Sequence, residues 1–461
     1  MNKILLIIFL SLSSFSFNLS AVAFTKKDYQ VLKDLDIEKS FVHDEHLQDL
    51  YNELSNKNHL YIYKRNLKKS SIYISKIKEV LNQEGLPSSF LYLSMAESNF
   101  RVDAKSSTNA LGLWQFMPQT AKIYNLRNDE YVDERLDFIK STHAASKYLG
   151  AHYKRFGKWY LAILAYNCGE GRVIEALTRA SIDKYIERYP DKKNSLKIKE
   201  YRNIIKEYLR TKKDFYKINN IYKDLGDLNI HVTARDLLKI QEKLDRQYLP
   251  RESRIYLRKI VVLAMIANRN FLKKGYIFDR DINSTITTVK LKGGLHLRSI
   301  SKVLNMKYST LSKMNLHIKQ QILPFDVKSY DVNIPYSKLG IYSKNKNKIK
   351  NESFVIYRVK KGDTLSSIAY KYKVKYSLIK KFNELKSNRL SLKQKLVIPV
   401  IKNKSKNTRR KIANKRLYKV KKGDSLSTIA HKFNISVKKI KKDNSLKSNK
   451  IKIGDKIAIY K

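Results

Sequence analysis

Two rhythms of apolar and polar positions run through this chain. The first is helical: Phe90, Leu93 and Ala96 recur on one face of a predicted helix over Phe90 to Ser98, and Trp159 to Tyr166 is apolar all round, the pattern of a buried helix. The second alternates: Tyr357 and Val359 share one face of a predicted strand, a Gly-Asp turn follows, and Leu365, Ile368 and Tyr372 return to helical spacing. At the N-terminus, Lys3, the apolar stretch Ile4 to Leu12 and a Ser-rich region ending Ala21-Val22-Ala23 have the order of a secretory signal peptide over residues 1–23. That run is shorter than the roughly 20 residues that span a bilayer, and so is Ile260 to Ala267. An exported, periplasmic protein is expected, with the mature chain starting near Phe24.

The alternating stretch occurs twice. Tyr357 to Leu365 aligns with Tyr418 to Leu426 at an offset of 61 residues, which also maps Ile368-Ala369 onto Ile429-Ala430, Asn383 onto Asn444 and Ile398 onto Ile459. Each copy reads as strand, turn, helix, second helix and closing strand, with Thr364 or Ser425 as helix N-cap and Asp363 or Asp424 in the turn. A weaker third copy starts at Val289-Lys290-Leu291-Lys292-Gly293-Gly294 and places Leu297, Ile300, Asn315 and Ile334-Pro335 correspondingly, without the Asp or the Thr/Ser. Segments 337–353 and 401–416, rich in Lys, Asn and Ser, read as solvated linkers.

Length and composition narrow the class. A chain of 461 residues predicts about three folded units. With 43% hydrophobic residues it is too apolar for full disorder, and 14 Gly and 7 Pro favour helix over a turn-rich β fold. The single cysteine, Cys168, excludes an internal disulfide or a Cys-based zinc site, and no histidine lies near it in sequence to activate it, so it reads as a buried spacer. The formal charge is +54, and residues 341–461 hold 37 Lys and Arg against 6 Asp and Glu, so the C-terminal part suits an anionic surface. For an exported chain, cell-wall carboxylates and lipid phosphates come before nucleic acid.

Candidate chemistry centres on Glu97, which lies seven residues after Phe90 on the same helical face. A carboxyl on an apolar face loses hydration and holds its proton, as a general acid must. Asp103 is the one other acidic residue between Ser98 and Gln119, and spacing alone leaves it open as a second carboxylate. His43-Asp44-Glu45-His46 has the wrong spacing for a zincin helix and reads as a solvated polar patch, while Gly169-Glu170-Gly171 lacks the third glycine of a nucleotide fingerprint because Ile174 stands there.

The repeats resemble LysM modules, a family that binds N-acetylglucosamine-containing glycans. The order Glu97-Ser98, Ser106, Gly112-Leu113-Trp114-Gln115-Phe116-Met117-Pro118, Ala165-Tyr166-Asn167-Cys168-Gly169-Glu170-Gly171 and Glu252-Ser253-Arg254-Ile255-Tyr256 resembles the soluble-lytic-transglycosylase (SLT) domain. The resemblance implies a mainly α, lysozyme-like catalytic domain followed by small α+β (βααβ) modules. It implies a peptidoglycan lytic transglycosylase in which Glu97 is the acid and then the base, Ser106, Gln115 and Met117 contact the muramyl sugar, Tyr166 and Asn167 sit across the cleft, Tyr256 holds Glu97, and Glu252 supports the last helix. The glycan-binding loops would be Gly362, Asp363 and Thr364, with Gly423, Asp424 and Ser425. Alternatives are a hydrolytic muramidase or a non-catalytic peptidoglycan-binding scaffold. Implied partners are glycan strands, with the cell wall or outer membrane as attachment surface and no nucleic acid, metal or cofactor. The expected organisation is a helical segment at 24–75, the SLT domain at 76–275 with a helical insertion at 176–241, a divergent LysM-like module at 286–336, and LysM modules at 354–400 and 417–461.

Overall fold

The computed structural model describes residues 22–228, 230–242, 244, 246–267, 286–349, 353–372, 374–400, 415–446 and 448–460. Nearly all of the expected signal peptide, the last residues of the expected SLT domain (268–275) and most of the basic linker at 401–416 lie outside the described residues. The chain divides into two compact units, Met1–Pro399 and Val400–Lys461. The architecture is mainly helical with small two-stranded sheets, as the two rhythms predict.

The first unit opens with α1 (Lys26–Asp34), α2 (Glu45–Leu54) and the long α3 (Lys57–Gln83), followed by α4 (Leu91–Ser98), α5 (Pro118–Ile123), α6 (Phe138–Phe156) and α7 (Trp159–Cys168). Tyr160 to Tyr166 of α7 are all buried, because α7 packs against α6, α8 (Glu170–Arg188) and α12 (Arg251–Ala267). In turn α12 buries Tyr256, Leu257 and every residue from Ile260 to Ile266, and packs on α1, α2, α4 and α7. Burial of this many side chains, at roughly 25 cal/mol per Å² of apolar area, fixes α4, α7 and α12 as one rigid frame.

That frame corrects the reading of His43-Asp44-Glu45-His46. His43, Glu45 and His46 are exposed, but Asp44 is buried. Its carboxylate caps α2 through the Leu47 amide at 2.8 Å and receives Arg258 of α12 in a fork, Nε to Oδ1 and Nη2 to Oδ2, both at 2.7 Å. Both groups are buried, so the pair locks α2 to α12 and would be costly to break from one side.

Residues 176–241 build a second apolar cluster. The distal part of α8, α9 (Leu196–Thr211) and α10 (Phe215–Gly226) bury Ile182, Ile198, Tyr201, Ile205, Ile218, Ile221 and Leu225 together, before the short α11 (Ala234–Leu238) returns the chain towards α12.

Three βααβ units follow. In the first, β1 (Ile286–Lys292) pairs antiparallel with β2 (Ser329–Pro335) around α13 (Leu297–Val303) and α14 (Tyr308–Met314). The segment 337–353, expected as a solvated linker, instead contains α15 (Leu339–Asn345) within its described part. Leu339 and Tyr342, at helical spacing, pack on the core of this unit, and the Tyr342 hydroxyl donates to the Lys290 carbonyl at 3.0 Å. The second unit pairs β3 (Ser353–Arg358) with β4 (Lys395–Val400) around α16 (Leu365–Lys371) and α17 (Tyr376–Phe382). The third pairs β5 (Lys415–Lys419) with β6 (Lys456–Tyr460) around α18 (Leu426–Lys432) and α19 (Val437–Asp443). One tie recurs in all three, fully buried in the first and half-buried in the other two: the amides of Asn315, Asn383 and Asn444 donate to a helix carbonyl and a closing-strand carbonyl and accept from a strand amide.

Candidate active site

Glu97 sits near the end of α4. Phe90 lies in the 3-10 turn before it, the expected apolar positions Phe90, Leu93 and Ala96 are buried, and Leu91, Ser94, Met95 and Ser98 are buried with them where α3 and α12 pack on the helix, leaving Tyr92 and Glu97 half-buried. Asn99 ends the helix in the left-handed conformation, with φ of 53°.

The chain then runs through the loop that carries Ser106, Gln115 and Met117. Gly112 holds a φ of +82°, and an added Cβ would lie 1.9 Å from the Arg135 carbonyl oxygen, so only glycine fits. Gln115, also left-handed at φ 48°, donates its amide to the Ala104 carbonyl at 3.1 Å and the Gly112 carbonyl at 2.8 Å. The Ser106 hydroxyl accepts from the Ala110 amide at 2.9 Å, and half-buried Met117 is the N-cap residue of α5. Fully buried Trp114 donates its indole N–H to Thr142 at 2.9 Å. Behind the loop, Arg135 donates Nη1 to the carbonyls of Asn109 at 2.9 Å and Phe116 at 3.2 Å, while the Asp133 carboxylate grips its guanidinium at 2.9 and 2.8 Å.

Two helices bring the remaining candidates to Glu97. From α12, the Tyr256 hydroxyl donates to Glu97 Oε1 at 2.5 Å across 159 residues of sequence. One turn earlier on the same face, Ser253 donates to Asn167 Oδ1 at 2.7 Å, which supplies the partner that a half-buried Asn at the end of α7 requires. Tyr166 points its hydroxyl at the Trp114 carbonyl, 2.6 Å away, and so reaches the Gln115 loop. Burial, and secondarily the charge of Glu97, push the Tyr166 and Tyr256 phenols well above their ordinary pKa, so both remain proton donors. Half-buried Lys259 extends the row Ser253, Tyr256, Lys259 along one face of α12. Its ammonium is lowered by burial, and the Glu97 charge acts in the opposite direction.

The motif thus converges on one place, and Ser253, Lys259, Asp133 and Arg135 join the residues expected there. Their spacing of three from Tyr256 along α12 is the signal that could have found Ser253 and Lys259. Nothing in sequence signalled the Asp133–Arg135 support, because its targets are backbone carbonyls. Glu252 is exposed in the first turn of α12, where a carboxylate faces the positive end of the helix. Asp103 is exposed and pairs with Arg101 at 3.3 Å. Cys168 is half-buried and donates its thiol to the Leu164 carbonyl at 3.2 Å. A cavity of about 960 Å³ bordered by Lys26, Tyr29, Lys158, Tyr160 and Tyr222 shares α7 with the Glu97 region but none of its site residues. Among the described residues no helix is long and apolar enough to cross a membrane.

In the repeats, Asp363 accepts from the Tyr357 hydroxyl and the Lys360 amide, both at 2.7 Å. Asp424 accepts in the same way from Tyr418 at 2.8 Å and Lys421 at 2.7 Å. Thr364 and Ser425 form capping boxes with Ser367 and Thr428. Gly362 and Gly423 turn with φ of +86° and +89°, and a Cβ on either would meet open space.

Comparison with known proteins places these features in families. Residues 75–188 match the transglycosylase SLT domain, and residues 357–399 and 418–459 match the LysM domain. The chain is 25% identical over 351 residues to membrane-bound lytic murein transglycosylase D of Escherichia coli (strain K12), covering 68% of this chain and 74% of that protein. A protein of Alteromonas sp. (strain M-1) named for tributyltin chloride resistance is 38% identical over 107 residues, 23% of this chain and about half, 52%, of that protein's length. The peptidoglycan transglycosylase gp16 of Escherichia phage T7 is 42% identical over 83 residues, 18% of this chain and 6% of that protein.

Proposed function

We propose that this chain, which carries a transglycosylase SLT domain and two LysM domains, is a peptidoglycan lytic transglycosylase that cleaves the β-1,4 bond between N-acetylmuramic acid and N-acetylglucosamine and leaves a 1,6-anhydromuramyl end. The observation that carries this reading is the 2.5 Å hydrogen bond from Tyr256 to Glu97 Oε1, which orients a half-buried acid beside Tyr166 and the Gln115 loop. Homology to the murein transglycosylase over 68% of the chain supports it.

With Oε1 accepting from Tyr256, the acid's own proton resides on Oε2. Glu97 passes that proton to the bridging oxygen as the bond from the muramyl C1 breaks. The N-acetyl carbonyl oxygen of the same sugar stabilises the electron-poor C1. Glu97, now a carboxylate, takes the proton of the C6 hydroxyl as that oxygen closes on C1, which restores the acid without consuming water. Asp103, exposed and paired with Arg101, is ill placed to act as a buried second carboxylate, and this supports the substrate-assisted route over hydrolysis. Ser106, Gln115, Met117, Tyr166 and Asn167 contact the sugars in this reading, with hydrogen bonds now internal to the loop exchanging for substrate groups. The LysM loops around Gly362–Thr364 and Gly423–Ser425 hold the enzyme on glycan strands of the periplasmic cell wall, close to the outer membrane.

Mass analysis of muropeptides released from purified sacculi tests the reaction: ends one water lighter than hydrolysis products are expected, and full-mass reducing ends would make the protein a muramidase. Glu97→Gln is expected to release nothing while still co-sedimenting with sacculi. Undiminished release would remove Glu97 from the chemistry.

A further inference from the structure

The βααβ unit at 286–335 shares its fold with the two LysM domains but lies outside the residues that match that family. Its two turns close on each other. Gly294 donates its amide to the Leu323 carbonyl at 3.0 Å, Leu323 returns a bond to Leu295 at 2.9 Å, and Leu297 donates to Gln321 at 2.8 Å. A Cβ on Gly294, which turns with a φ of +81° where Gly362 and Gly423 stand, would lie 2.8 Å from the Phe325 ring, whereas one on Gly362 or Gly423 would meet nothing within 4 Å. The loops that stand open in the LysM domains are packed shut here. His296, fully buried, stands where Thr364 and Ser425 cap, and accepts from the Arg298 amide through Nδ1 at 2.9 Å.

The same unit is built onto the catalytic half. Val132, from the segment between α5 and α6, is fully buried inside the unit's own apolar core. Around it Asp133 donates its amide to the His317 carbonyl at 2.8 Å, and Lys319 donates to the Tyr131 carbonyl at 2.8 Å. The Tyr330 hydroxyl donates to Glu134 Oε1 at 2.7 Å, and Arg127 forks onto Asp326 at 2.9 and 2.7 Å. Asp133 is also the residue that grips Arg135, and Arg135 holds the Asn109 and Phe116 carbonyls of the loop bearing Ser106, Gln115 and Met117.

We propose that residues 286–335 form a brace that binds no glycan and fixes the loop carrying Ser106, Gln115 and Met117 through Asp133 and Arg135. Tyr330, Asp326 and His317 are then positioning residues: they touch no substrate and act through the 127–137 segment. The brace follows from the contacts above. Its effect on turnover rests on the transglycosylase reading, so the two are tested separately.

Hydrogen exchange on the mature full-length chain tests the brace without substrate. Asp326→Ala combined with Tyr330→Phe removes two of the side-chain ties, those to Arg127 and Glu134, and leaves the unit's core intact, and Arg127→Ala cuts the same ion pair from the catalytic side. Amides of residues 104–117 and 127–134 are expected to exchange about tenfold faster in both variants, with those of Asn315 and Val332 still protected. Unchanged exchange at 104–117 would overturn the brace. In turnover of soluble glycan, the double variant is expected to raise KM severalfold while keeping the pH profile of kcat, and Asp326→Glu is expected to restore KM. A displaced pH profile would mean that the unit acts on Glu97 itself and would overturn the positioning role. A wild-type chain without turnover would sink the transglycosylase reading and leave the exchange result to decide the brace. Added chito-oligosaccharide is expected to leave exchange at 293–298 unaltered, and protection there would overturn the claim that this unit binds no glycan.

Discussion

Replacing Tyr256 with Phe removes one oxygen atom from the site and isolates the contact on which the acid depends. The hydroxyl lies 2.5 Å from Glu97 Oε1 on a side chain that is itself buried, so neither water nor another rotamer readily replaces it. A hydrogen bond to a group that becomes charged during the reaction contributes about 1.5–3 kcal/mol. Taking ~2 kcal/mol, loss of the bond in the transition state slows turnover by roughly 30-fold. The pH profile should move as well. The phenol favours the carboxylate form of Glu97, so removing it makes the acid harder to ionise, and the alkaline limb of kcat/KM should shift upwards. Tyr256 itself contributes no limb in the accessible range, because burial and the Glu97 charge hold its phenol well above its ordinary pKa. The assay is the initial rate of anhydromuropeptide release from sacculi across a pH series, with sacculus binding measured alongside. A Tyr256→Phe variant that binds normally, turns over at the wild-type rate and keeps the wild-type alkaline limb would refute the role assigned to this hydroxyl.

Three further outcomes follow from the same frame. Ser253→Ala deprives the Asn167 side chain of its 2.7 Å donor and should raise KM several-fold with little loss of kcat, while the midpoint of thermal unfolding falls by only a few degrees. Asp44→Asn leaves Arg258 without its buried counter-charge and should destabilise the catalytic unit by ~3–5 kcal/mol in urea titrations monitored by exchange in α12; a loss below ~1 kcal/mol would contradict the buried pairing. His152, buried on α6, has its pKa lowered to about 4 by burial and then by the Arg155 charge, against an ordinary 6.5, so the unfolded chain takes up a proton that the folded one refuses. Its contribution is therefore neutral above pH 6.5 and destabilising as pH falls towards 4, by up to ~3 kcal/mol, and His152→Gln should flatten that part of the stability curve.

What the sequence disclosed and what it hid divide along the distance over which each residue acts. Glu97, Tyr166, Asn167 and Tyr256 were legible because short motifs mark them, and the mainly helical body with βααβ units was legible because apolar spacing is a local property. Asp44 was not: its neighbours are charged and exposed, and the Arg258 that makes it a buried lock lies 214 residues away. Helix α15 was masked by a run rich in Lys and Asn, although Leu339 and Tyr342 have the spacing that packs it. The spacing of Phe90, Leu93 and Ala96 marked one buried face of α4, but an isolated pattern could not show that Leu91, Ser94, Met95 and Ser98 are buried as well, because that depends on the packing of α3 and α12.

The unit at 286–335 keeps the frame of the two LysM domains, and the role proposed for it is a different one. Asn315 makes the same three hydrogen bonds as Asn383 and Asn444, so the tie between second helix and closing strand survives where the turn Asp and capping Thr or Ser do not. His296 caps in place of the Thr or Ser, its imidazole nitrogen accepting from the Arg298 amide, one residue earlier in the first turn than the amides that Thr364 and Ser425 satisfy. The Asn could not be exchanged in this way, because three buried backbone groups would lose their partners at about 1–3 kcal/mol each. Retention of the Asn and loss of the turn Asp is the pattern expected where a βααβ fold must stay rigid but no longer has to present an open loop. It is also consistent with Val132 of the catalytic half lying inside the unit's own core.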